Sequence, residues 1–143
     1  MKYNIDRQKV LLSLEMGEKI NQTFETFATH NDVKSAWVNG IGAIKNPEVG
    51  YYLVKNKSYT KKVFEGIYEL TSLIGNITNK DGKPFCHTHI TFSDNNFNVF
   101  GGHLFEAEIA AAGEFQLLLY NKNIDRKMNS NIGLALWCFA END

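Results

Sequence analysis

Only one stretch of this 143-residue sequence carries helical periodicity, and nearly everything after it alternates as β-strand does. Ile20, Phe24, Phe27 and Ala28 recur at helical spacing, which predicts an amphipathic helix from about Glu18 to His30. His30 falls where that helix ends, a position at which the helix dipole favours a cation. A first strand is expected over Gln8 to Glu15, broken by Gly17. Beyond Asn31-Asp32, strands are expected over Ser35–Ile41, Val49–Val54, Lys61–Glu65, Ile67–Thr78 and Phe85–Ser93. Phe97–Phe100, Glu106–Tyr120 and Ile132–Phe139 complete the set. Asn46-Pro47, Asp81-Gly82 and Asp94-Asn95-Asn96 mark turns, and Gly66 a bulge. No repeat or linker divides the chain. The expectation is a single α+β domain, residues 1–143, with one main N-terminal helix on a mostly antiparallel β-sheet.

Composition removes several function classes. With 43% hydrophobic and 22% charged residues, the chain has the material for a folded core, which argues against disorder. No apolar run approaches the roughly 20 residues needed to cross a bilayer, and residues 1–7 lack the apolar segment of a signal peptide. Two cysteines give no disulfide framework. These features predict a cytoplasmic protein with no membrane association. A net charge of −1 and a pI near 6.4 argue against broad phosphate binding. Lys61 and Lys62, in a run with Lys55 and Lys57, remain candidates for nucleic-acid contact. The plainer reading of that run, and of Lys122, Arg126 and Lys127, is solvated surface. Gly40 and Gly42 do not form a dinucleotide loop, because Lys45 stands where the third glycine belongs.

His87-Thr88-His89 carries the chemistry. Alternate strand residues share a face, so both imidazoles point one way from α-carbons roughly 6.6–6.8 Å apart. Cys86, Thr88, Ile90 and Phe92 form the opposite, more apolar face, where Cys86 reads as a buried small hydrophobe. A turn at residues 94–96 and a returning segment bring Gly101-Gly102-His103 beside the pair. Three neutral imidazoles with an open fourth position suit Zn²⁺ best among divalent metals. Polar residues lining an oligomer contact would give the same pattern. Glu106, just downstream, is a candidate proton carrier or further ligand, and any solvated carboxylate would look the same. Asn76 is a candidate for orienting a ligand or a histidine ring through a hydrogen bond.

Leu70–Ile77, Asp81–Ile90 and Gly101–Leu104 together closely resemble the plants-and-prokaryotes-conserved (PPC) domain, as do Asn39–Ile44 and Gly133–Trp137. The resemblance implies an α+β subunit that assembles as a homotrimer, with a metal at His87, His89 and His103. Members of that family are commonly labelled predicted DNA-binding proteins, which implies a regulatory module acting on DNA directly or through a protein partner. In plants the domain follows an Arg-Gly-Arg-Pro AT-hook, a segment this sequence does not contain. The fold is also similar to that of acetolactate decarboxylase, where a comparable histidine arrangement holds zinc. That similarity implies an alternative, a small metal-dependent lyase or hydrolase.

Overall fold

A computed structural model describes residues 1–139. The chain runs β1 (Lys2–Asp6), β2 (Lys9–Glu15), α1 (Ile20–His30), β3 (Ser35–Leu53), β4 (Ser58–Val63) and β5 (Ile67–Lys80). It continues with β6 (Lys83–Ser93), β7 (Val99–Tyr120), β8 (Asp125–Asn129) and β9 (Leu134–Cys138). This is the expected α+β architecture, mostly sheet with a single helix among the described residues. No described helix is long and apolar enough to cross a membrane.

Four strands close on themselves. β3 pairs with β5 and β7, and β6 pairs with both β5 and β7, all antiparallel. β1 and β2 extend the sheet beyond β7, and β4 pairs with β3. β8 meets β5 through one parallel pair, Asn79 with Asp125, and pairs with β9. The inner face buries Leu70, Leu73, Ile77, Ile90, Phe92, Leu104 and Ile109 against Ile20, Phe24 and Phe27 of α1. Burying large apolar side chains at about 25 cal/mol per Å² supplies the main stabilisation of this arrangement.

Several elements differ from expectation. β3 is one 19-residue strand rather than two. At Asn46-Pro47 the chain bulges instead of turning, with Asn46 at φ 49° and a register shift between Lys45 and Glu48. Gly66 fixes that bulge, since its N–H donates to Asn46 Oδ1 and its carbonyl accepts from the Asn46 N–H. β7 likewise runs unbroken from Val99 to Tyr120. β1 and β8 had no strand signal that stood out in the sequence.

The closed ring has one opening. β6 and β7 pair only from Ser93 opposite Val99 to His89 opposite His103. There β7 crosses to β3, where His103 also pairs with Gly50. Glycines make the crossing possible: a Cβ on Gly101 would meet Ile90 O at 2.6 Å, and one on Gly102 would meet Gly50 O at 2.8 Å. Past this point the strands fork and α1 fills the gap. Asn21 Nδ2 donates to the carbonyls of Leu104 (3.2 Å) and Phe105 (3.1 Å), and its Oδ1 accepts from Thr88 Oγ1 (2.8 Å). Glu25 Oε1 accepts the Cys86 N–H at 3.2 Å. Buried backbone groups that lose a ladder partner must find another, and these two side chains serve. Asn21→Ala is expected to lower unfolding stability by about 2–4 kcal/mol in urea titration, because it strands two buried polar groups and a part-buried one at once. Gln22→Ala, on the exposed side of the same turn, should stay within about 0.5 kcal/mol.

Candidate metal centre

The fork sets three histidines around one point. His87 and His89 leave β6 on the face opposite Cys86 and Thr88, both of which are buried against α1. His103 arrives from β7 directly opposite His89. The ring centroids lie 5.3 Å (His87–His89), 5.1 Å (His87–His103) and 5.4 Å (His89–His103) apart, nearly an equilateral triangle. One nitrogen from each ring falls within 4.8 Å of the other two. His87 and His103 are half-buried and His89 is exposed. His103 packs against Tyr59 of β4, with centroids 5.0 Å apart, and against Phe105.

The electrostatics keep these rings neutral. Burial is the main cause of the fall in the His87 pKa to about 4, helped by Arg126 and His89. His103 falls to about 4 as well, again chiefly through burial, with His87, His89, Lys61 and Arg126 adding repulsion. Burial lowers His89 in the same direction. Each ring is therefore unprotonated near neutral pH, the form that ligates a metal. The Nδ1 atom of His103 is buried without a hydrogen-bond partner, an uncommon state for a polar atom. A cation in the centre of the trio suits this donor set.

Arg126 is the residue that sequence reasoning missed. It lies in a charge run read as solvated, yet it is buried, unlike its exposed neighbours Asp125 and Lys127. Its Nε donates to Thr78 Oγ1, Nη1 to Ala135 O and Nη2 to Asn76 Oδ1, each at 2.8 Å. Nη2 also lies 3.4 Å from His87 Nδ1. A guanidinium only donates, so Nδ1 is the acceptor there. Asn76 sits opposite His87 in the β5–β6 register and reaches the ring only through Arg126. Strand alternation within residues 125–129 was the one available signal, and it does not say which side faces β5.

Glu106 lines the same cavity as His87 and His103 but is not part of the trio's ligand set. Its carboxylate accepts the N–H groups of Asn21 (3.0 Å), Gln22 (3.2 Å) and Ala107 (3.0 Å). It therefore caps α1 from β7, where Lys19 makes no side-chain cap of its own. Lys61 is held by Glu48 at 3.3 Å with its Nζ 3.5 Å from the Phe105 ring centre, and Lys62 lies over Phe64. His30 ends α1 and stands in its last turn, as its position in the sequence suggested.

Comparison with known proteins places the chain among relatives of the same fold. Several solved structures match over nearly their whole lengths, three of them as follows. A plant- and prokaryote-conserved (PPC) protein from Pyrococcus horikoshii is 38% identical, with 99% of this chain and 97% of that one covered and a TM-score of 0.86. A metal-containing protein from Archaeoglobus fulgidus is 34% identical, covering 96% and 97%, TM-score 0.86. A protein from Bacteroides thetaiotaomicron, provisionally named as DNA-binding, is 30% identical, covering 96% of each chain, TM-score 0.92. Acetolactate decarboxylase from Bacillus subtilis shares the fold alone, at 14% identity and TM-score 0.56 over 88% of this chain and 58% of that one. A search of curated proteins found no match. The model of the Plants and Prokaryotes Conserved (PCC) domain matches residues 1–121, and the chain belongs to that family.

Proposed function

We propose that this chain is a trimeric metal-binding module in which His87, His89 and His103 hold one divalent ion, preferentially zinc. The observation that carries the reading is the meeting of three neutral imidazoles from two strands, with no carboxylate in the set. An all-nitrogen trio that leaves a fourth position open suits Zn²⁺. Tetrahedral bonds of about 2.0–2.1 Å put nitrogens about 3.3 Å apart, so loading draws the rings inward by small side-chain rotations. A bound divalent ion would acidify a water or polarise an oxygen ligand. Beside it, Asn76 and Thr78 hold Arg126 next to the His87 ring. The metal-containing relative from Archaeoglobus fulgidus supports the same reading.

Trimer formation is supported by the outer face of the sheet. Register places Leu11, Gln116, Asn39, Ile74 and His89 in one cross-strand row, and Leu118, Trp37, Asn76 and His87 in the next. Leu11, Trp37, Ile74 and Leu118 are all exposed on it. Large apolar side chains exposed among polar ones on one sheet face are the composition of an interface. A regulatory role on DNA fits best through a protein partner, because Lys61 and Lys62 are both engaged within the chain.

Elemental analysis of purified protein should find about one zinc per chain, with His87→Ala and His103→Ala each losing most of it; unchanged content in both variants removes the metal. Light scattering should give three times the chain mass, and Trp37→Glu should give monomer; a monomeric wild type at micromolar concentration rejects the trimer. The depressed histidines also make the metal-free protein sensitive to acid. Between pH 6.5 and 4 the unfolded chain binds protons that the folded rings resist, so stability is complete above pH 6.5 and declines as pH falls toward 4. Urea midpoints of chelator-treated protein should show that slope, and the double variant His87→Gln, His103→Gln should flatten it.

A further inference from the structure

A cavity of about 420 Å³ opens beside His87 and His103 at the fork, and its charges do not balance once an ion is bound. Four charged side chains line it, Lys80 and Arg126 against Glu25 and Glu106, and these cancel. The two carboxylates are occupied at the α1 wall by backbone N–H groups, Glu25 by Cys86 and Glu106 by the first turn of the helix. Lys61 and Glu48, near the rim, cancel each other as an ion pair. Ligating imidazoles are neutral, so a divalent ion leaves two positive charges without a counterpart. Among the described residues no carboxylate lies within ion-pair distance of Arg126, although its side chain is buried. A buried cation without an anion is costly. Three of the five guanidinium N–H groups are donated to Thr78, Ala135 and Asn76; a His87 that ligates the ion cannot also accept through Nδ1, which leaves one on Nη1 and one on Nη2.

The remaining wall is apolar. Phe85, Phe105, Met128, Leu134 and Leu136 line the cavity, with Tyr59 packed on His103. The turn between β8 and β9 is tied across to the β3–β4 hairpin, since Tyr52 Oη donates to Ile132 O and Lys57 Nζ to Ser130 O. The apolar wall is thereby held in place. Charge selects an anion here, and the leucines select one with a hydrocarbon body. We infer that the cavity takes a small organic carboxylate, its charged end toward the histidine-held ion and Arg126 and its apolar end toward Leu134 and Leu136. This rests on the metal reading above and names the ligand class of that same centre.

Cobalt(II) substitution tests it, because the visible spectrum of the ion reports its ligands without any assay of activity. Wild-type protein loaded with Co²⁺ is titrated with acetate, hexanoate and inorganic phosphate. Hexanoate should change the spectrum at concentrations roughly tenfold or more below acetate, given about 0.8 kcal/mol for each buried CH₂. Phosphate should be weaker than hexanoate. Arg126→Gln, compared with wild type at equal Co²⁺ loading, should weaken hexanoate about tenfold, and Leu136→Asn should narrow the gap between hexanoate and acetate. If one Co²⁺ per chain is retained and no carboxylate alters its spectrum, the inference fails alone. Phosphate matching hexanoate likewise overturns it. If no Co²⁺ is retained, the metal reading fails and this one with it. The wild-type titration decides the matter even where Arg126→Gln does not fold.

Discussion

Everything at the histidine centre depends on how the fork between β6 and β7 is satisfied. An antiparallel pair that stops at His89 and His103 leaves carbonyl and N–H groups of both strands facing a gap. Water could fill such a gap at an exposed edge, but here α1 lies across it. Asn21 contacts both strands at once and Glu25 takes the Cys86 N–H, so hydrogen bonds hold the opening at fixed width. Glu106 returns the favour from β7 by occupying the N-terminal amides of the same helix. Helix and fork each supply the partners that the other lacks.

The parts of this arrangement that are local in sequence were legible there. Alternation in residues 85–93 separates Cys86, Thr88, Ile90 and Phe92 from the histidines, and the structure buries that set on the core side. Gly101 and Gly102, ahead of His103, are where β7 comes close to β6 and β3. Long-range features left no local trace. Asn46-Pro47 has turn composition, and only its contact with Gly66 turns it into a bulge. Arg126 looked like one more surface cation because its partners Thr78 and Asn76 lie about fifty residues earlier. Glu106 has a capping role that no local pattern shows, since the helix it serves lies 85 residues away.

The centre joins two electrostatic regimes. Toward the helix, carboxylates meet amide dipoles; toward β8, a guanidinium sits among neutral acceptors close to a ring it cannot protonate. Burial and neighbouring cations act on the imidazoles in the same direction, lowering their proton affinity. Protons are thus weak competitors for these nitrogens over much of the acid range. The outer rows run up to the same rings, so exposed apolar side chains and the histidines share a boundary at Ile74 and His89.

The four-strand ring also bears on how the chain folds. Its last rung joins residues that lie beside each other only after β3, β5 and β6 are in register, and β7 must cross two neighbours to reach it. Topologies built on such distant pairings are slow to assemble because loop entropy is lost before contacts repay it. A ligand that bridges His89 and His103 recognises the finished circuit and none of its precursors. By mass action it would act as a clasp on the completed topology, slowing its reopening as well as deepening its free-energy minimum.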